Sequence, residues 1–166
     1  ALIAMAQDQS DIGFFRFFTE RPSRTSKGDS YLKTRRGIDY GDVRLSAPID
    51  AEELLRLLFT FKIQGYPFGY ISKTSLWGKV RFNESIKIGE DFEALIRLIQ
   101  ENQHLTAMVY NFGGYHYLKR DGSALNSMTI QQGRTLLATG ETIAASFEGT
   151  TLAHLANNIS IGLGFD

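Results

Sequence analysis

The chain has 166 residues, of which 43% are hydrophobic and 22% are charged, a composition that suits one domain with one core. Eighteen basic residues balance eighteen acidic ones, which excludes a strong overall attraction to nucleic acid or to an anionic membrane. The absence of cysteine excludes disulfides, thiolate nucleophiles and cysteine-based metal sites. No apolar run reaches the roughly 20 residues of a membrane helix. We therefore expect a soluble protein without membrane partners, with the cytoplasm favoured.

The first part of the chain, residues 1–37, is predicted to be an arm, and residues 38–166 a single domain. The stretch from Arg16 to Arg36 is basic and rich in small polar residues, which is typical of a flexible segment. A cluster of phenylalanines at its start would be costly to leave in water, so we expect the arm to dock at that end. The cluster consists of Phe14, Phe15, Phe17 and Phe18.

The chain begins at Ala1 rather than Met. We therefore expect either a domain cut from a longer protein or a natural start at Met5.

A strand and a helix are predicted next. Val43 and Leu45 alternate with polar residues, which predicts a half-buried strand over residues 41–46. Asp50 lies three residues before Glu53, the spacing of a capping box, and leucines then recur at helical intervals. This pattern predicts a helix that begins after Asp50 and continues towards Gly65.

The following region predicts a hairpin and a second helix. Residues 68–72 and 76–82 are rich in aromatic and β-branched residues and flank a polar turn, which is typical of a β-hairpin. Glu90 and Asp91 then precede a stripe of apolar residues at helical spacing, so a helix is predicted from there to about residue 102.

Two more strands complete the central region, over residues 107–112 and 115–120, with a tight turn at Gly113-Gly114. The order strand, helix, two strands, helix, strand predicts an α+β fold of the ferredoxin-like type, in which two helices cover one face of an antiparallel sheet. Many unrelated proteins share this order, so it predicts architecture and not function.

Residues 121–166 are predicted to be a C-terminal β/α extension. Residues 134–147 fit either a hairpin about Gly140 or a helical stretch interrupted by Gly133 and Gly140. A short helix over residues 151–157 and a strand over residues 159–165 are predicted after them.

The predicted sheet carries the main functional hint. Alternation along residues 76–82 directs Val80 and Phe82 towards the helices and Trp77 with two cations to the uncovered face. Aromatic rings beside cations on an open sheet favour binding of single-stranded nucleic acid. The alternative is that residues 121–166 cover this face and that Trp77 belongs to the core. The candidate binding residues are Trp77, Lys79, Arg81, Arg44, Tyr110, Tyr115 and Tyr117, with Arg35 and Arg36 from the basic arm.

Patterns for catalysis are weak. His104, His116 and His154 lack the spacing of a metal site, and no phosphate-binding glycine loop occurs, so we predict no metal, no cofactor and no catalytic residue. A small hydrolase or transferase based on His104 or His116, with a carboxylate such as Glu84 or Asp121, is the weakest alternative.

We therefore expect a non-catalytic macromolecular interaction module that binds a protein partner or another copy of itself. Single-stranded nucleic acid is the second expected ligand. A homo-oligomer is expected because an aromatic arm beside an exposed strand favours edge pairing or exchange of segments between copies.

Overall fold

The computed structural model describes residues 2–24, 30–37, 43–118 and 129–162, with only the backbone described for residues 19–24, 30–37 and 160–162. Among these residues, none of the helices combines the length and the apolar character needed to cross a bilayer. The α+β class is confirmed. The helices are α1 (Leu2–Asp8), α2 (Ala51–Phe59), α3 (Glu90–Glu101), α4 (Ile130–Ala145) and α5 (Ala153–Gly162). The strands are β1 (Ile12–Arg24), β2 (Ser30–Gly37), β3 (Ile49–Asp50), β4 (Tyr70–Ser72) and β5 (Thr106–Leu118).

The sheet is organised around β1. Along one side β1 pairs in parallel with β5, and along the other side it pairs antiparallel with β4 near its start and with β2 beyond Phe17. The short strand β3 pairs antiparallel with the start of β5. The sheet is therefore mixed, with the order β2-β1-β5-β3 and with β4 on the same side of β1 as β2. This order does not confirm a ferredoxin-like fold, nor does it confirm a face covered by two helices.

The two predicted central helices are confirmed. The Asp50 carboxylate accepts a hydrogen bond from the Glu53 backbone N–H at 2.9 Å and so caps α2. The helix ends at Phe59, before the predicted Gly65, because Phe61 adopts a positive φ of 54°. The second helix, α3, begins at Glu90 as predicted and ends at Glu101.

The core lies between helices α2 to α5 and the first part of the two long strands. Ile12 and Phe14 of β1 and Ala107 and Val109 of β5 are buried in it. Gly13 faces the other way, since a Cβ there would lie 2.9 Å from the Met5 sulfur. Helix α1 therefore packs on the opposite face of the sheet. We call this part of the strand pair, residues 12–15 with residues 106–110, the helix-covered half.

Beyond Phe15 the register between β1 and β5 shifts twice. Phe15 pairs with Tyr110, Arg16 with Gly113 and Phe17 with Tyr115, so β5 contains extra residues as bulges. The predicted turn at Gly113-Gly114 is therefore wrong, and β5 is one continuous strand there. A Cβ on Gly113 or Gly114 would collide with the ring of Phe18 or Phe15, so glycine is required at both positions. We call residues 16–24 with residues 113–118 the aromatic half.

The predicted hairpin over residues 68–82 is wrong, although β4 forms within its first segment. Residues 74–77 form a 3₁₀ helix, and residues 78–89 belong to no helix or strand. The chain turns at Lys73, whose backbone N–H donates to the Asp11 carbonyl at 2.9 Å and whose Nζ pairs with the Asp11 carboxylate at 2.7 Å.

The predicted strand over residues 41–46 is also wrong for its described part. Residues 43–46 lie outside any strand, and residues 41–42 lie outside the described part of the chain. The alternation itself is real, because Val43 and Leu45 pack against the core while Arg44 is exposed. Alternation of burial therefore does not require a strand.

The C-terminal part is helical. Residues 134–145 belong to α4, which confirms the helical alternative for most of residues 134–147. Thr129 and Gln132 form a capping box at the start of this helix. A helix near residues 151–157 is confirmed as α5, but the predicted strand over residues 159–165 is wrong because α5 continues to Gly162. The last three positions of that predicted strand, residues 163–165, lie outside the described part of the chain.

The predicted basic arm contains strands. Residues 16–24 belong to β1 and residues 30–36 to β2, so a strand pair replaces the expected flexible segment, and residues 25–29 lie outside the described part. Phe14, Phe15 and Phe17 are buried, which confirms that the aromatic cluster docks. The division of the chain between residues 37 and 38 stays a prediction.

Candidate binding surface

The predicted site around Trp77 does not lie on a strand. Its indole N–H donates to the Ser72 hydroxyl at 2.8 Å, and its half-buried ring stacks on Phe82 with centroids 5.8 Å apart. Alternation along a strand therefore does not determine which way the side chains of residues 76–82 face. Val80 is buried as predicted, but Phe82 is 51% exposed instead of facing the helices.

The cations of this segment are exposed, but one is tied to the backbone. The Arg81 guanidinium donates to the carbonyls of Trp77 at 2.7 Å and Val80 at 2.8 Å. Arg97 of α3 donates to the Arg81 carbonyl and pairs with Glu93 at 2.6 Å, which fixes the segment against the helix. Lys79 and Arg44 are exposed on segments without regular structure. The residues expected to share one sheet face with Trp77 are therefore not placed there by strand geometry.

Tyr110 has a structural role at the face that α1 covers. Its hydroxyl donates to the Asp8 carboxylate at 2.6 Å and lies 3.0 Å from the hydroxyl of Ser10, which is fully buried. Burial and the hydrogen bond to Asp8 raise the pKa of Tyr110. Burial raises the pKa of Asp8, but the hydrogen bonds from Tyr110 and Ser10 outweigh it and the net pKa is lowered. This network ties the end of α1 to β5.

Tyr115 and Tyr117 do lie together, with aromatic residues that the sequence did not single out. The Phe68 ring lies 5.2 Å from Tyr115 and 4.8 Å from Tyr117, with interplanar angles of 22° and 10°. The Tyr66 ring is also parallel to Phe68, at 5.3 Å and 6°. Below them Phe17, which is 1% exposed, meets Phe68 edge-on at 4.7 Å. We call Tyr66, Phe68, Tyr115 and Tyr117 the aromatic surface.

Two local features assemble this surface. Tyr115 and Tyr117 are two residues apart on β5, so both side chains lie on the same side of the strand. The segment before β4 is held beside β1 because the Phe15 N–H donates to the Gly69 carbonyl at 3.0 Å, and a turn closes from the Gly69 N–H to the Tyr66 carbonyl at 2.8 Å. Tyr66 and Phe68 were not predicted as binding residues, and Phe17 was predicted only as part of the docking cluster. The signal for them was the pair of aromatic residues on either side of Pro67, together with the phenylalanine cluster.

The aromatic surface is accessible. Tyr115 is 44% exposed, and Tyr66, Phe68 and Tyr117 are half-buried. Stacked rings gain about 0.5–1.5 kcal/mol per pair beyond their buried area, which holds the four rings in place without hiding them. The four rings are thus already in place before a ligand binds, with part of their surface accessible to it.

Arg35 and Arg36 belong to the same end of the sheet by backbone register. Arg36 pairs with Thr19 on β1, and Thr19 pairs with Tyr117 on β5. Arg35 pairs with Glu20, which in turn pairs with Leu118. Each arginine therefore lies two strands away from the end of β5.

The two histidines considered for the hydrolase alternative lie in different parts of the fold. His104 is exposed in the turn before β5, whereas His116 lies in the aromatic half and contacts the Phe18 ring at 5.1 Å. His116 lies ten positions after Thr106 along β5, which corresponds to roughly 30 Å at the usual rise. Glu84 is exposed on the segment before α3, and Asp121 lies outside the described part. Among the described residues, no three His, Asp or Glu side chains form a group that could hold a metal ion.

A search against models of protein families finds no match, and a search of curated proteins finds none either.

Proposed function

We propose that this protein is a non-catalytic interaction module whose partner is another protein chain, either of a different kind or a second copy of its own. The aromatic surface carries this proposal. Large accessible ring faces cost free energy in water, and tyrosine is enriched where proteins bind one another. A module that presents such rings already in place binds without first ordering them.

The chemistry of the aromatic surface favours an extended peptide segment as the ligand. Its four side chains are uncharged, and three of them carry a phenolic hydroxyl, a group that both donates and accepts hydrogen bonds. Tyrosine rings supply contact area at a low entropic cost, because two torsions define each side chain. Proline or aliphatic side chains packing on the ring faces, with the peptide backbone bonding to hydroxyls, would satisfy this surface.

Selection from a displayed library of random peptides on the wild-type protein tests the proposal. The isolated peptides are then measured against Tyr115→Ala and Tyr117→Ala, and against Phe82→Ala as a control with an exposed aromatic residue outside the surface. We expect the tyrosine variants to lose at least about tenfold in affinity, equivalent to about 1.4 kcal/mol, while the control binds as wild type. Peptides that bind all four proteins equally would refute this site.

Single-stranded nucleic acid is the second candidate, and the register of β2 favours it. Arg35 and Arg36 lie on the same end of the sheet as Tyr115 and Tyr117, and bases stack on aromatic rings while cations neutralise phosphates. Neutral net charge supports the protein partner more strongly.

A labelled random single-stranded DNA separates the two candidates. If nucleic acid is the ligand, binding weakens steeply with added salt, and Arg35→Ala with Arg36→Ala makes the salt dependence shallower. If a protein is the ligand, the oligonucleotide binds weakly and the double arginine variant leaves peptide binding unchanged.

A further inference from the structure

Helix α4 exposes a continuous stripe along its outer face. The stripe consists of six residues that are three, four or seven positions apart along the chain, so their side chains share one side of the helix. All of them are exposed, Ile130 at 81% and Leu137 at 46%. We call this the α4 stripe, and it consists of Ile130, Arg134, Leu137, Ala138, Glu141 and Ala145.

The other side of α4 is already used by the fold. Leu136, Gly140, Ile143 and Ala144 are buried on that side, the last two within the main core. A capping box at Thr129 fixes the start of the helix. The α4 stripe is therefore a rigid, preformed surface over a helix of about 24 Å.

The charges of the stripe are self-complementary. Arg134 and Glu141 are seven residues apart, and their midpoint falls between Leu137 and Ala138. Neither charge forms an ion pair with another residue in the described part of the chain. A second α4 running antiparallel about that midpoint would place Arg134 of each copy beside Glu141 of the other.

The apolar residues obey the same symmetry. About the same midpoint, Leu137 of one copy meets Ala138 of the other, and Ile130 meets Ala145. In both contacts a large side chain therefore faces a small one, which lets the axes of the two helices approach to the usual 8–10 Å. Self-complementarity of this kind is the requirement of a twofold interface.

We infer that a second copy of this chain binds along the α4 stripe and forms an antiparallel twofold dimer. One helix face buries less than the roughly 800 Å² per partner of a standard stable interface, so the dimer dissociates on dilution. This inference specifies the self-association included in the proposed function, but it uses a different surface from the aromatic one, and each stands if the other fails.

Sedimentation velocity of the full chain, from about 5 µM to about 500 µM, tests the inference. We expect wild type to shift from monomer to dimer over this range. R134E and E141R each place like charges opposite one another at two symmetric points, so each variant alone should dimerise at least about tenfold more weakly. An equimolar mixture of the two should form a heterodimer, because one chain then offers two acidic groups and the other two basic groups.

The double variant R134E/E141R completes the test, since exchanging both charges restores the pairs and should restore the dimer. K62E and E84R make the same charge changes at exposed residues outside α4 and should dimerise as wild type does. A wild type that remains monomeric at every concentration would overturn the inference. A dimer that is as strong in R134E as in wild type would also overturn it. If that dimer is lost in Tyr115→Ala, self-association belongs to the aromatic surface.

Discussion

The two halves of the β1–β5 strand pair differ in what covers them. In the helix-covered half, Ile12, Phe14 and Ala107 lie under four helices and are fully buried. In the aromatic half, Tyr115 and Tyr117 pack on Phe68 and remain accessible. The same two strands thus supply the centre of the core at one end and a surface of aromatic rings at the other.

This difference separates the residues that determine stability from those that we propose for binding. Burial removes apolar area from water and dominates the free energy of unfolding, whereas accessible rings contribute mainly their stacking. The two register shifts between Phe15 and Phe17 mark the boundary between the halves. Substitutions on either side of this boundary should therefore have different consequences.

The largest effect is expected in the helix-covered half. Phe14→Ala removes a ring that is 0% exposed and contacts Tyr70 at 5.4 Å, and it leaves a cavity in the main core. We expect a loss of about 3–5 kcal/mol in the free energy of unfolding, measured by urea denaturation. Phe14→Leu is the matched control and should lose much less. A loss below about 1 kcal/mol for the alanine variant would remove Phe14 from the core.

At the boundary, Gly114→Ala should destabilise the protein by about 1–3 kcal/mol, because the new methyl group collides with the ring of Phe15. Gly78→Ala is the matched control, since its Cβ would meet the Ser75 carbonyl at an ordinary 3.5 Å and its φ of −52° suits alanine. Thermal unfolding of both variants measures the difference. Equal stability of the two would show that the ring and the bulge adapt at no cost.

The pH dependence should reflect the anchoring of the helix-covered half by Asp11. Burial raises the pKa of this carboxyl, but Lys73 and the Thr106 backbone N–H outweigh it, and the net pKa lies below the ordinary value of 3.8. Ionised Asp11 therefore stabilises the fold above that value, and the stabilisation is lost as the pH falls through the lower folded-state pKa.

Asp11→Asn tests this dependence because it keeps the shape and removes the charge. At neutral pH the variant should be less stable than wild type, and the difference should shrink as the pH falls from about 5 to about 2. Urea denaturation at each pH gives the two curves. A difference that stays constant over this interval would show that the charge of Asp11 contributes nothing.

The smallest effect on stability is expected in the aromatic half. Tyr115→Ala removes one stacked pair with Phe68 and a ring that is already 44% exposed, so we expect a loss of about 0.5–1.5 kcal/mol. Urea denaturation under the conditions used for Phe14→Ala measures it. A loss as large as that of Phe14→Ala would place Tyr115 among the residues that hold the fold.

Local patterns predicted the central helices α2 and α3, whereas α1 was not predicted and long-range partners decided the strands. Asp50 and the leucine spacing predicted α2 because capping and amphipathicity act within a few residues. The turn predicted at Gly113-Gly114 failed because the rings that require glycine there come from β1, almost a hundred residues earlier. The strand through Trp77 failed because a 3₁₀ helix followed by a segment without regular structure also buries Val80 and exposes Lys79.

The site was predicted in part for the same reason. Tyr115 and Tyr117 were selected from their own strand, and their alternation is local. Phe68 joins them only because Gly69 bonds to Phe15, a contact that no local pattern encodes. The α4 stripe could not be identified while residues 134–147 fitted both a hairpin and a helix, since the two periods select different faces.

The most direct test of the central claim measures unfolding and binding on one protein, the double variant Tyr115→Ala/Tyr117→Ala. We predict that its free energy of unfolding falls by no more than about 3 kcal/mol, two stacked pairs at most, while its affinity for peptides selected on wild type falls at least about tenfold. Unchanged peptide affinity in a folded double variant would contradict the account.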